Sequence, residues 1–183
     1  MKKPGFRRAL AMLISTWILC WPGLSTAQTQ GTSNVSIIIN EVAAGRISGG
    51  NVTLTIQAPG IAGQPPQNAV DSNCYLQYTS SLQTGQSRQV AASWLPLDSA
   101  PSGCSLNLQA FPTARSGEGT SAGQITVSST AQIIIAGITR CATGMGATDG
   151  ALLAYTLTVV AATNLIAGQV ASSTIVLTIS DAS

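Results

Sequence analysis

The sequence predicts an all-β protein, an antiparallel two-sheet β-sandwich of about seven to nine short strands. Three observations carry that prediction. Apolar and β-branched residues recur at every second position through most of the chain. Gly- and Pro-rich turns punctuate them roughly every ten residues, the spacing of a sandwich. Beyond the N-terminus no stretch shows helical periodicity. A closed barrel is the alternative.

The N-terminus stands apart from this pattern. Lys2, Lys3, Arg7 and Arg8 form a basic front, and Ala9–Trp21 is an apolar run short for a bilayer span. Pro22 and Gly23 break it, and Ser25-Thr26-Ala27 fits a signal peptidase site. Residues 1–27 are therefore expected to be a signal peptide and 28–183 a single domain, exported to the periplasm, cell surface or medium. Ile18-Leu19 before Cys20 are bulky where lipoprotein processing needs small residues. A retained anchor is the alternative; without the leader no membrane span is expected.

The folded part opens with Asn34–Val42, where Val35, Ile37 and Ile39 fall at period two and Ile38 makes the segment β-branched on both faces. Ala43–Gly50 reads as a turn because it carries three glycines. Asn51–Gln57 alternates again, Val52, Leu54 and Ile56 facing one way. Ala58–Asn73 holds Pro59, Pro65 and Pro66, which exclude a central strand, and reads as a long loop. Tyr75–Ser80 and Arg88–Trp94 form a hairpin around Thr84-Gly85. Cys104–Ala110 is the next strand, and Phe111–Ala122 is polar and turn-like. Gln124–Ser128 and Ala131–Ile138 are two strands or one long bulged strand. Thr139–Gly150 reads as a loop, and Leu152–Val160 and Ser172–Ser180 close the domain. Ile133–Ile135 is apolar on both faces, as a buried central strand would be.

Removal of the leader takes away four of the eight basic residues and all lysines. Four arginines then face six acids, a net charge of −2. Scattered arginines make no phosphate-neutralising patch, so no nucleic-acid partner is expected. Removing 27 residues from 183 leaves 156, enough for one core. The surface must be Ser, Thr, Gln, Asn and Gly, a composition that suits self-association or packing among other surface subunits.

Cys74, Cys104 and Cys141 remain after the leader. An exported domain with three thiols favours one disulfide and one spare. Strand direction places Cys74 and Cys104 at one end of the sandwich and, if residues 124–138 form two strands, Cys141 at the other, so Cys74–Cys104 is the expected bond. If those residues form one strand, Cys141 joins that end.

The chain contains no histidine. That removes Ser–His–Asp and Cys–His catalysis and histidine metal sites. Its six acids are isolated beside turn residues, so no carboxylate pair for glycoside hydrolysis is expected, and Asp71 and Asp98 read as turn formers. One carboxylate, Asp149, beside Gly144-Met145-Gly146 is short of a calcium or phosphate site. The expectation is a non-enzyme without cofactor or metal. Asn34-Val35-Ser36 and Asn51-Val52-Thr53 match the glycosylation sequon but fall within expected strands. Tyr75, Tyr78 and Trp94 could face a sugar, but Trp94 as a core anchor is the stronger reading.

The leader, the period-two strands, the expected disulfide and the closing run Ala167–Ile179 (AGQVASSTIVLTI) resemble bacterial fimbrial subunits and related surface sandwiches. The resemblance spans most of the mature chain as a pattern. It implies an immunoglobulin-like fold and assembly in which an N-terminal extension of one subunit supplies a strand to the next. Gln28–Val42 is then the candidate donor through Val35, Ile37 and Ile39, with Ile175, Leu177 and Ile179 on the strand beside the groove. The expected function is an exported structural or adhesive surface protein, a fimbrial or extracellular-matrix subunit. The alternative is a secreted carbohydrate- or ligand-binding module.

Overall fold

In the computed structural model, which describes residues 36–95 and 98–182, ten strands form two antiparallel sheets around a shared core. In chain order the strands are β1 (Val42–Ser48), β2 (Ala69–Ser81), β3 (Arg88–Trp94), β4 (Cys104–Phe111) and β5 (Glu118–Ser121). They continue with β6 (Ile125–Thr126), β7 (Gln132–Ile138), β8 (Cys141–Ala142), β9 (Ala151–Val159) and β10 (Ile175–Asp181). One sheet has the order β1-β2-β9-β4-β6, with β8 also on β2; the other is β10-β3-β7-β5. The all-β sandwich is thus the fold of the protein. The chain divides at Ile38/Ile39, and the sandwich belongs to the second unit.

Alternation builds the core. Val90, Ala92 and Trp94 of β3 face Leu106, Leu108 and Ala110 of β4, and Leu153, Tyr155 and Leu157 of β9, within one buried cluster. The β7 run departs from simple alternation because Ile134 and Ile135 are both fully buried. The register with β3 slips between Val90/Ile135 and Ala91/Ile133, so Ile134 is an extra residue whose side chain also reaches the core.

Several strands fall where the sequence places them. Arg88–Trp94 is β3 with the expected bounds, but it crosses to the other sheet instead of pairing with β2 as the expected hairpin; β4 runs one residue longer than expected, and β9 is shifted by one residue at both ends. The stretch 124–138 is two strands in different sheets: β6 pairs with β4, and β7 with β3 and β5.

Other elements are corrected. Ala43–Ser48, expected within a turn, forms β1 together with Val42 and pairs in full register with β2 from Ser81 to Tyr75. Small side chains qualify it: a Cβ on Gly45 would lie 2.8 Å from Ile179 Cδ1, so glycine lets the edges of the two sheets approach. The strand expected over Asn34–Val42 is not formed in its described part, residues 36–41. Asn51–Gln57 keeps the expected alternation, with Val52, Leu54 and Ile56 packed on the core, but its only backbone pairing is the bridge Gln57↔Gln67. β2 begins at Ala69, inside the expected loop, because a bulge between Asp71 and Cys74 absorbs the polar residues there. The short strands β5 and β8 lie in stretches read as loops and raise the count to ten.

The expected Cys74–Cys104 disulfide is not present; Cys74, Cys104 and Cys141 are free thiols. With β2 extended to Ala69, Cys74 sits mid-strand rather than at the end of the sandwich. It lies opposite Leu153, and Cys104 opposite Val159, six residues apart along the intervening β9. That offset is about 20 Å along a strand, against the roughly 7 Å that a disulfide tolerates between Cα atoms. Cys141 is no better placed for Cys74, because its partner Ser80 lies six residues away along β2.

Candidate functional site

The terminal strands β1 and β10 are the edges of their sheets, and both present an unpaired outer side among the described residues. Between them the sandwich opens into a groove of about 330 Å³. Its floor is Leu76 and Tyr155, one wall is Ala43, Gly45 and Ile47, and the other is Ile175, Leu177 and Ile179. The three β10 residues are those named from the sequence, and they are half-buried: they touch the core on one side and the open groove on the other. The β1 wall was missed because Ala43, Gly45 and Ile47 sit in a glycine-rich stretch. Their period-two spacing was the available signal, too weak without the partner strand.

One end of the groove is tied shut by Arg88, the first residue of β3. Its buried guanidinium donates to Asp181 Oδ1 at 2.9 Å, to Val42 O at 2.5 Å and to Ser80 Oγ at 3.3 Å. Glu41 approaches it at 3.8 Å. A charge inside a sandwich needs such partners, since unpaired burial costs several kcal/mol, on the order of the stability of a domain. Arg88 thereby joins the start of β1, the end of β2 and the end of β10. The groove contains a single charged lining residue, Arg46, whose Nε donates to Gln77 Oε1 and whose Nη2 donates to Met145 O.

Immediately before β1, Ile37, Ile38 and Ile39 are 81 %, 80 % and 85 % exposed. Val35, the first of the expected donor residues, lies outside the described residues. Other exposed large apolar side chains among the described residues, such as Ile61, Ile166 and Val170, stand singly, whereas these three are consecutive.

The remaining candidates resolve as parts of the scaffold. Trp94 (8 % exposed) and Tyr78 (4 %) belong to the core, so neither is available to a ligand. Tyr78 donates its hydroxyl to the Glu118 carbonyl, and burial pushes its pKa well above the ordinary tyrosine value, with Cys141 and Glu118 adding to the rise. Glu118 is itself buried, and its carboxylate accepts a hydrogen bond from Thr113 Oγ1. Asp71 accepts the backbone N–H of Asn73, the turn chemistry read from the sequence, and Asp149 accepts that of Gly146 within its own loop; the Asp98 carboxylate instead accepts the N–H of Thr174, just before β10, a long-range tie rather than a turn bond. Burial raises the pKa of all three thiols; Asp71 adds to the rise at Cys74 and Glu118 at Cys141, where a backbone hydrogen bond at Ser80 opposes it. Raised thiols are poor nucleophiles at neutral pH. Among the described residues no group of three Cys, Asp or Glu side chains converges as a metal site. No described helix is long and apolar enough to cross a membrane.

Comparison with protein-family models, with curated proteins and with solved structures found no match. The reading of function therefore stands on the groove and the segment before it.

Proposed function

We propose that the protein is an exported structural or adhesive surface subunit, of a fimbria or extracellular matrix, that assembles by placing the isoleucine segment before β1 in the β1–β10 groove of a second copy. The observation that carries the proposal is the exposure of Ile37, Ile38 and Ile39 in a protein whose open edge groove is walled by the aliphatic side chains of Ala43, Ile47, Ile175, Leu177 and Ile179. An inserted strand pairs its backbone with a free sheet edge and drops alternate side chains into the groove. With Ile37 and Ile39 inward, the buried surface is worth about 3–6 kcal/mol at roughly 1.5–3 kcal/mol per isoleucine. Backbone pairing along the edge adds to this. No histidine is present to supply the usual catalytic base, and the sparsely charged surface fits a packed assembly better than a soluble enzyme.

The test is the assembly state of the chain starting at Gln28, by light scattering and electron microscopy, beside a form starting at Glu41 that keeps β1. The longer form is expected to polymerise. The shorter form is expected to stay monomeric and to bind a synthetic peptide of residues 34–42. A longer form that remains a stable monomer, with a peptide that does not bind, sinks the proposal.

A further inference from the structure

We propose a second, independent site on the outer face of the six-stranded sheet: a platform for a neutral glycan built on Tyr75, Leu152 and Phe111. Register brings the three together, although they are far apart in sequence. Leu152 on β9 is the Cα partner of Tyr75 on β2 and of Phe111 on β4, so they occupy one rung across three adjacent strands. Their chain neighbours Cys74, Leu76, Ala110, Ala151 and Leu153 are all buried, which turns these three side chains to the outside. None of the three belongs to the core cluster. Phe111 is 44 % exposed, and Tyr75 and Leu152 are half-buried. Two inter-strand spacings separate the aromatics by about 10 Å, long enough for adjoining sugar rings to lie across the row.

Two properties of the face select the ligand class. The first is charge. The outward positions of β9 (Leu152, Ala154, Thr156) and of β4 (Asn107, Gln109, Phe111) carry none, and the cation that register places on this face at its β1 edge, Arg46 opposite Gln77, is already held by Gln77 and Met145, so the ligand that fits is uncharged. Aromatic rings take the C–H face of a pyranose, and Gln109, one rung along and opposite Ala154, supplies amide hydrogen bonds to its hydroxyls. The second is area. Phe111 at its exposure offers about 100 Å², and the row a few hundred at most, against roughly 800 Å² per partner in a stable protein interface. The patch is sized for sugar rings rather than for another protein.

The test is isothermal titration of the chain from Gln28 with cellohexaose, chitohexaose and xylohexaose. At least one is expected to bind, with affinity reduced about tenfold or more by Phe111→Ala and by Tyr75→Ala. Phe111→Tyr is expected to retain binding, and thermal melts monitor folding of each variant. Absence of binding to all three sugars overturns the proposal, as does undiminished binding in a folded Phe111→Ala variant. A change of oligomeric state in Phe111→Ala without any sugar also overturns it, since the row is then a protein contact. Replacing Ile37 and Ile39 by Asp leaves this site untouched, so failure of glycan binding and failure of groove assembly are read separately.

Discussion

Gly150 shows how tightly single positions are specified. Its φ is +97°, and a Cβ there would lie 2.3 Å from the carbonyl oxygen of Leu76, a backbone atom that cannot swing away. Left-handed strain costs about 1–3 kcal/mol for an ordinary residue, and the clash adds to it. Gly150→Ala is expected to lower the urea-unfolding free energy by at least about 2 kcal/mol, read from the shift of the midpoint at unchanged slope. Buried ionisable groups set a pH limit. Burial pushes Tyr155 up to about 12, with Cys74 and Asp71 adding, from an ordinary value of 10.0. Below pH 10 both folded and unfolded chains hold the proton, and the stability this group contributes is fully present. Above it the unfolded chain releases the proton first, so stability falls as pH rises toward the folded value. Tyr78 and the three thiols shift in the same direction, the thiols from 9.0. The urea midpoint is expected to hold level between about pH 7 and 8.5 and to drop through pH 9–12, where Tyr155 alone accounts for about 2–3 kcal/mol. A midpoint unchanged at pH 11 would remove the case for these buried protons. At the same scale, thiol titration of the chain from Gln28 in denaturant without reductant is expected to find all three cysteines free. A single reactive thiol would restore a disulfide.

At the scale of elements, what was legible follows who pays for each strand. β3, β4 and β9 each bury one complete face, so alternation alone writes them into the sequence. β1 buries almost nothing of its own and exists through seven register pairs with β2, information that resides in the partner. The β5 and β8 segments are similar, four and two residues held by β7 and β2. The candidate site divides the same way. Ile175, Leu177 and Ile179 were readable as an alternating strand, whereas Ala43 and Gly45 carry meaning only against Ile179. The misplacement of Cys74 has the same origin, because the bulge at Asp71–Cys74 hides five strand residues that precede the cysteine. Arg88, inconspicuous in sequence, joins three of these elements. Arg88→Met removes the bonds to Asp181, Val42 and Ser80 while keeping the apolar stem. Hydrogen exchange is expected to accelerate in β1 and β10 while β4 and β9 keep their protection. Uniform acceleration across both sheets would mean that Arg88 supports the whole fold rather than its edges.

At the scale of the molecule, composition and architecture converge on how copies would associate. Residues 28–183 hold ten charged side chains, and the described pairs are confined to Arg88 with Glu41 and Asp181. Assembly driven by complementary charge would weaken as salt shortens the screening length to about 3 Å at 1 M. The proposed contact is different: isoleucine side chains against the aliphatic walls of the groove and backbone bonds along a sheet edge, both insensitive to screening. Its one lining cation, Arg46, is already held by Gln77 and Met145. Polymer length of the chain from Gln28, measured by sedimentation, is therefore expected to be unchanged or increased between about 0.05 M and 1 M sodium chloride. The Ile37→Asp, Ile39→Asp double variant is expected to remain monomeric throughout that range, since each carboxylate would have to pack against the aliphatic groove walls without a free cation. Polymers that dissolve in salt, or that persist in the double variant, would place the contact elsewhere on the surface. Assembly abolished by the two aspartates and indifferent to salt would tie the exposed isoleucines and the open edge groove to one task.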